Sequence, residues 1–421
     1  MSDNQMQAIN NTKLRWQLVA VIYITSLFYF LFQGGKTASM LFIILNLLLI
    51  YLVLGRWSGI NMVSGNRVYA SHSASAHDQS LSAGSSLEVS LNVRVPGYYP
   101  LPYVIVRDRL QRHNGQKLAF ETSFVPNWKR SGQVVYQTPP LQRGEYRFYH
   151  TECITYDVFG LFAHSGQFGS ETVFSVLPQT VPLRQWHGVQ RGIRGPYSHA
   201  IASRSAKETT QINGVREYLY GDRLSRVHWN ATAKTGEWKS KAFERESLPR
   251  TLVILDRDRR GYGDELTARF ELAVSAAASL LENGLKEDTA MGLLSIGESM
   301  TLFAPKSGME QRNLLMKHLT YVDADATRPL YASLQLADTM LEPGCFAIVI
   351  TPDTGADVLR SMEWLARKGI TPCMLHISSA TDKRSNPASS WKHVMRERGW
   401  PVFEIRQLHE LPVVLEGGGI A

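Results

Sequence analysis

The sequence predicts a membrane-anchored α/β chain in three parts: two N-terminal transmembrane helices, a small antiparallel β-sandwich, and a C-terminal α/β domain with a parallel sheet. Three observations predict it. Two almost unbroken apolar runs stand near the N-terminus, Trp16 to Phe32 and Thr37 to Leu54. Apolar residues then recur with a period of two. From Thr251 onward, short apolar runs alternate with stretches of helical spacing.

The two N-terminal runs are 17 and 18 residues long, near the lower limit for a helix crossing the hydrocarbon layer. Neither has the polar face of a soluble amphipathic helix. Gln33-Gly34-Gly35-Lys36 between them reads as a tight turn, so residues 14–55 form an antiparallel hairpin after a short N-terminal segment, 1–13. No small-x-small cleavage site follows Phe32, and the second run begins at once, which argues against a cleaved signal peptide. Lys13 and Arg15 precede the first apolar run and Arg56 and Arg67 follow the second, against Lys36 alone in the turn. The positive-inside rule therefore puts both termini and the soluble domains in the cytoplasm. Gln17 and Asn46 are expected to hydrogen-bond between the helices. With no ionisable residue in mid-run, a transport path is not expected.

Residues 62–185 carry the period of two. Leu87, Val89, Leu91, Val93 and Val95 alternate with polar neighbours, as in a strand with one buried face. Further strand-like runs are Tyr103–Val106, Gln133–Gln137, Gly144–Tyr149, Ile154–Tyr156 and Thr172–Leu177, separated by turn formers such as Pro96-Gly97 and Pro139-Pro140. Short strands at this spacing predict a sandwich. A connecting segment, 186–250, leads to the α/β domain, 251–408, and a tail, 409–421. In that domain strands at Thr251–Leu255, Met291–Ile296, Met300–Phe303, Cys345–Ile350, Pro372–Ile377 and Val402–Ile405 alternate with helices at Glu265–Asn283, Met309–Tyr321, Leu330–Met340, Ala356–Lys368 and Trp391–Arg398. The functional edge of such a sheet lies at the carboxyl ends of its strands. Asp256, Asp258, Ser295, Thr351, Asp353, His376 and Ser378 fall there.

The 421 residues carry a net charge of +8. Between Arg184 and Arg260 there are 16 Lys and Arg against 8 Asp and Glu, an excess of 8 that equals the surplus of the whole chain. One basic segment could meet nucleic acid, an anionic bilayer or an acidic protein. Cys153, Cys345 and Cys373 are far apart and form no CxxC, so they are expected to be reduced and buried.

Within the connecting segment lies Gly214-Val215-Arg216-Glu217-Tyr218-Leu219-Tyr220-Gly221-Asp222, then Arg223-Leu224-Ser225-Arg226-Val227-His228-Trp229, continuing through Lys234 to Lys241, Phe243, Glu244 and Glu246. Earlier stand Arg143-Gly144-Glu145-Tyr146 and Asp157-Val158-Phe159-Gly160-Leu161-Phe162. These runs resemble a bacterial family catalogued as domain of unknown function fifty-eight, whose members usually have Pro where this chain has Val158. The resemblance spans the whole chain, N-terminal helices included. It implies a von Willebrand factor A-like C-terminal half, residence in the bacterial inner membrane, and partnership with a MoxR-type AAA+ ATPase and a transglutaminase-like membrane protein. The family's biochemical activity is not established, and an adaptor role is the usual inference.

A von Willebrand-type metal site wants Asp-x-Ser-x-Ser after the first strand, with a Thr and an Asp from later loops, and suits Mg²⁺. This chain has Asp256-Arg257-Asp258-Arg259-Arg260 there, and Thr351 and Asp353 later. Asp258 replaces the first Ser, and Arg260 has no lone pair to offer a metal. A degenerate site, with its aspartates paired to neighbouring arginines, is expected. In the connecting segment Arg216, Glu217, Tyr218, Gly221, Asp222, Arg226, His228, Trp229, Lys234, Lys241, Glu244 and Glu246 form either a docking surface or an interdomain clasp, since both use these residue types. No catalytic set reads out: there is no GxSxG, no nucleophile beside His228, and no GxxxxGK[ST] for ATP. A membrane-anchored adaptor ranks first. A metal-assisted hydrolase using Asp256, Asp258 and Asp353 ranks second, and nucleic-acid binding through the basic segment last.

Overall fold

The computed structural model describes residues 3–71, 81–183, 207–219, 224–246, 250–379 and 390–416. The chain divides into two compact units, Met1–Val176 and Leu177–Ala421.

In the first unit, α1 (Asp3–Gln33) and α2 (Gly35–Leu54) are joined through Gly34 and Gly35, whose φ angles of 61° and 85° favour glycine. Each contains a 20-residue stretch, Leu14–Gln33 and Gly35–Leu54, long and apolar enough to cross a membrane. Leu18, Ile22, Phe28, Met40, Ile44 and Leu47 all stay exposed, so the pair shows apolar surface outward. Tyr23 donates to Asn46 Oδ1 at 3.2 Å across the pair, and Phe30 stacks on Phe42 at 5.2 Å.

Two 3₁₀ turns, Gly55–Trp57 and Ile60–Met62, lead into ten strands. These are β1 (Ser64–Ser71), β2 (Leu81–Ser82), β3 (Leu87–Arg94), β4 (Val104–Arg112), β5 (Lys117–Phe124), β6 (Ser131–Gln137), β7 (Gly144–Phe148), β8 (Thr151–Tyr156), β9 (Ala163–Phe168) and β10 (Thr172–Leu177). One sheet has the order β1-β3-β6; the other runs β2-β10-β7-β4-β8-β9, with β5 paired to β4. Every pairing given for these strands is antiparallel. The alternation at Leu87, Val89, Leu91 and Val93 buries these side chains in one core with Val104, Val106 and Leu110. Arg67 does not act as a loose juxtamembrane charge: it is buried on β1, bidentate to Asp108 at 2.7 and 3.1 Å, and its guanidinium lies 4.4 Å from the Phe148 ring. It therefore does not count toward the positive-inside rule, which concerns charges near lipid headgroups.

The second unit opens with residues 177–183 laid along a helix. Val181 N donates to Ser279 Oγ at 3.1 Å and Leu183 N to Asn283 Oδ1 at 3.0 Å. A two-stranded antiparallel ribbon follows, β11 (Lys207–Glu217) with β12 (Lys239–Glu246), enclosing the short helix α3 (Trp229–Thr235). Then come β13 (Arg250–Asp256), α4 (Arg259–Tyr262), α5 (Leu266–Lys286), β14 (Ala290–Ile296), β15 (Met300–Lys306), α6 (Met309–Tyr321), α7 (Leu330–Leu336), β16 (Phe346–Thr351), α8 (Ala356–Arg367), β17 (Thr371–Ile377), α9 (Ser390–Glu397), β18 (Val402–Ile405) and α10 (Glu410–Glu416).

The sheet order is β15-β14-β13-β16-β17-β18. Val253 and Leu255 of β13 pack under Phe270, Leu315 and Leu411 on one face, while Leu252 and Ile254 pack under Leu334, Met362 and Met395 on the other. Burial on both faces explains why this strand is a continuous apolar run rather than an alternating one. The sheet departs from the all-parallel expectation at β15, which runs antiparallel to β14. Only Gly297, Glu298 and Ser299 separate the two strands, enough for a hairpin but not for a crossover. The neighbours of β13 are β14 on one side and β16 on the other. Its carboxyl end is therefore the switch point, the crevice where doubly wound sheets take ligands.

Candidate functional site

Four sequence-derived candidates converge at that switch point. Asp256 ends β13 and is almost fully buried. Its Oδ2 accepts from Thr351 Oγ1 at 2.8 Å and its Oδ1 from Asp258 N at 3.0 Å. Burial pushes the Asp256 carboxyl up to about 6 even though these hydrogen bonds favour the charged form. Thr351 ends β16, and its hydroxyl accepts from Asp353 N at 3.1 Å. Asp353 Oδ1 accepts the N–H groups of Thr354 and Gly355. Asp256, Asp258 and Asp353 line a cavity of about 350 Å³ with Arg260, Leu330 and Asp357.

A cation placed here would compete with a charge already bound to Asp258. Arg260 lies across Asp258, with Nε 3.0 Å from Oδ1 and Nη2 2.7 Å from Oδ2, so a permanent positive charge already satisfies that carboxylate. Among the described residues no three His, Cys, Asp or Glu side chains are grouped so as to hold a metal ion. Sequence reasoning missed Arg257 as a brace. Its guanidinium donates to Asp323 O at 2.8 Å, Asp325 Oδ2 at 2.6 Å and Ser295 Oγ at 3.3 Å, tying the loop after β13 to the loop before α7. The other strand-end candidates also have local partners. Ser378 accepts from Arg406 at 3.3 Å, and His376 meets Trp391 edge to face at 5.6 Å. All three cysteines are buried thiols.

The connecting segment builds a second candidate surface. Tyr218 N donates to Trp238 O at 3.0 Å and His228 N to Lys239 O at 2.8 Å, so the end of β11 and the start of α3 are both held to the strand beyond. His228 is the N-cap of α3, its Nδ1 accepting from Ala231 N at 3.1 Å. Gly236, with φ 73°, ends the helix. The turn brings three aromatic rings together: Trp238 lies 6.0 Å from Trp229 and 5.6 Å from Tyr218. Trp229 is nevertheless 63% exposed and Trp238 52%. Leu219 and Leu224 are exposed beside them in sequence. Arg216 donates to the Glu217 carbonyl, Lys239 pairs with Glu237 at 3.1 Å, Lys234 is exposed and Lys241 half-buried. Gly221 and Asp222 lie outside the described residues, as do the side chains of Arg226, Glu244 and Glu246.

The family model described as "Protein of unknown function DUF58" matches residues 214–371, from the end of β11 to the start of β17. The uncharacterized protein YeaD of Bacillus subtilis (strain 168) is 25% identical over 363 residues, covering 83% of this chain and 85% of the relative. Among solved structures, proximal thread matrix protein 1 of the mussel byssus aligns at 11% identity over 41% of this chain and 46% of its own, with a TM-score of 0.29. The putative ApaA protein of Bordetella pertussis aligns at 9% identity over 27% of this chain and 93% of its own, with a TM-score of 0.19.

Proposed function

The chain belongs to the family of proteins of unknown function DUF58, and from that premise we propose that it is a membrane-anchored adaptor whose soluble units face the cytoplasm and engage a MoxR-type AAA+ ATPase. In this reading α1 and α2 span the inner membrane and both termini are cytoplasmic. The C-terminal unit is the von Willebrand factor A-like part, and a transglutaminase-like membrane protein is a second partner.

One observation carries the docking half of the proposal. Trp229 and Trp238 pack against each other, yet each residue stays more than half exposed. Trp and Tyr are the residues most enriched at interface hot spots, where a partner's burial of an aromatic supplies most of the affinity. The capped helix and ribbon hold these rings in place before binding, so little side-chain freedom is lost on docking. The anchoring half rests on the apolar surface that α1 and α2 turn outward, which water disfavours and hydrocarbon accepts.

The test is affinity purification of the tagged full-length protein from mild detergent with ATP and Mg²⁺ present. The expected result is recovery of a AAA+ ATPase, lost on Trp229→Ala with Trp238→Ala in protein of unchanged melting temperature. Failure to recover any ATPase reproducibly, or equal recovery with the double variant, would overturn the assignment.

A further inference from the structure

From the loop Asp157–Phe162 we infer a second membrane contact: its apolar tip, Val158 and Phe159, inserts into the headgroup–acyl boundary of the bilayer beside the helical hairpin. The inference rests on the membrane-spanning reading of α1 and α2 and adds a lipid-binding surface to it.

Depth is the first argument. Tyr51 lies three residues before Leu54, the end of the apolar stretch of α2, which is about 4.5 Å along a helix axis. Helical side chains lean toward the N-terminus, so the Tyr51 ring points further into the span rather than out of it. Val158 N donates to Tyr51 Oη at 3.2 Å, and the Phe159 ring lies 6.2 Å from that of Tyr51. On α1 the loop meets the other helix at its apolar boundary: Phe162 stacks on Trp16 at 4.4 Å, and Arg15 donates to Leu161 O at 2.6 Å. The loop thus touches both helices within about one turn of their apolar ends, where a tip that leans toward Tyr51 is at interfacial depth.

Its chemistry is the second argument. Val158 is 68% exposed and Phe159 59%, beside helix surfaces that are themselves apolar. Irregular backbone is tolerated near hydrocarbon only when its polar groups are satisfied. Here every N–H from Val158 to Phe162 has an acceptor. Val158 uses Tyr51, and Gly160 uses the Asp157 carbonyl at 2.9 Å. Phe159, Leu161 and Phe162 use the Asp157 carboxylate at 2.8, 3.2 and 2.6 Å. Asp157 donates its own N–H to Phe162 O at 3.3 Å, and Arg15 takes the carbonyls of Gly160 and Leu161. A buried carboxylate that knots a loop while its tip shows two large apolar side chains is what a shallow membrane wedge requires.

The test labels single cysteines in the full-length protein with an environment-sensitive fluorophore, leaving the three buried native thiols in place. The protein is held in phosphatidylcholine nanodiscs carrying nitroxide lipids, quenching either just below the headgroup or near the chain end. Val158→Cys and Phe159→Cys are compared with Ile44→Cys, midway along α2, and Asn114→Cys, in the turn between β4 and β5. The expected result is loss of most emission at 158 and 159 with the shallow nitroxide, at 44 with the deep one, and at 114 with neither. Quenching at 44 with 158 and 159 as bright as 114 would overturn the wedge and leave the anchor standing. No quenching at 44 would overturn the anchor, and the wedge with it.

Discussion

Arg260 closes on both carboxylate oxygens of Asp258, Nε on Oδ1 at 3.0 Å and Nη2 on Oδ2 at 2.7 Å. The guanidinium thus occupies both oxygens of that carboxylate, and an Arg donates hydrogen bonds but cannot ligate a metal. Replacing both residues, Asp258→Ser with Arg260→Ser, would set two hydroxyls beside Asp256 and Thr351 and remove the competing charge. The double variant is therefore expected to gain a melting temperature that rises with Mg²⁺, as any ligand selective for the folded state produces. The parent should not respond. An equal Mg²⁺ response in the parent would show that the ion pair does not block the site.

Asp256 and His318 should drive stability in opposite directions with pH. Burial raises the Asp256 carboxyl to about 6, so the folded state holds this proton more tightly than the unfolded chain, and rising pH from about 4 to 6 costs stability. His318 packs edge to face on Phe303 at 5.0 Å, and burial, with Arg257 nearby, lowers its imidazole to about 4. Here the unfolded state binds the proton more tightly, so stability is present above the ordinary His range and is lost as pH falls from about 6.5 toward 4. The two slopes oppose each other between pH 4 and 6. Asp256→Asn should leave a protein whose melting temperature falls more steeply on acidification than the parent's, and His318→Phe one that falls less steeply. Parallel pH profiles for all three proteins would contradict both assignments.

In the β-sandwich the Asp108 carboxylate takes Arg67 at 2.7 and 3.1 Å, Tyr136 Oη at 2.6 Å and Thr151 Oγ1 at 3.2 Å, all inside the unit. Removing one partner of such a buried pair strands the other, which typically costs about 3–5 kcal/mol, whereas replacing both with apolar groups is close to neutral. Arg67→Met should therefore lower thermal stability in detergent sharply, and Arg67→Met with Asp108→Leu should recover much of the loss. If the double variant is no better than the single one, the pair's value lies in its other contacts, to the Tyr136 and Thr151 hydroxyls, the Tyr149 carbonyl and the Phe148 ring.

Local periodicity made much of this fold legible. The alternation at Leu87–Val95 maps onto β3, and the apolar run Thr251–Leu255 onto β13, because each pattern reports which faces are buried. The sequence does not announce β5, because none of the side chains of Lys117–Phe124 is fully buried. Arg67 was read as an interfacial charge because nothing local announces Asp108, 41 residues away. At the candidate site the strand-end carboxylates were visible one by one, since the end of a strand is a local feature. The bracing by Arg257 was not, because Asp323 and Asp325 lie 66 and 68 residues away. The hallmark segment was conspicuous in composition, yet the pairing of Trp229 with Trp238 depends on a turn that spacing alone does not define.

At Gly59, between the hairpin and the β-sandwich, there is no room for a single methyl group. It sits between the two 3₁₀ turns with φ 77°, a left-handed conformation that strains any residue with a Cβ. A Cβ there would fall 1.7 Å from the Pro96 carbonyl oxygen, a backbone atom that cannot swing aside. Arg130 holds the same corner, donating to Ser58 O at 2.5 Å and Val95 O at 3.0 Å, so the clash would also disturb its hydrogen bonds. Gly59→Ala is expected to loosen residues 55–63 while leaving the C-terminal unit intact. Limited proteolysis in detergent should then cleave this stretch faster in the variant, with cleavage after Leu177 unchanged. Identical cleavage patterns would mean that the corner relaxes without cost.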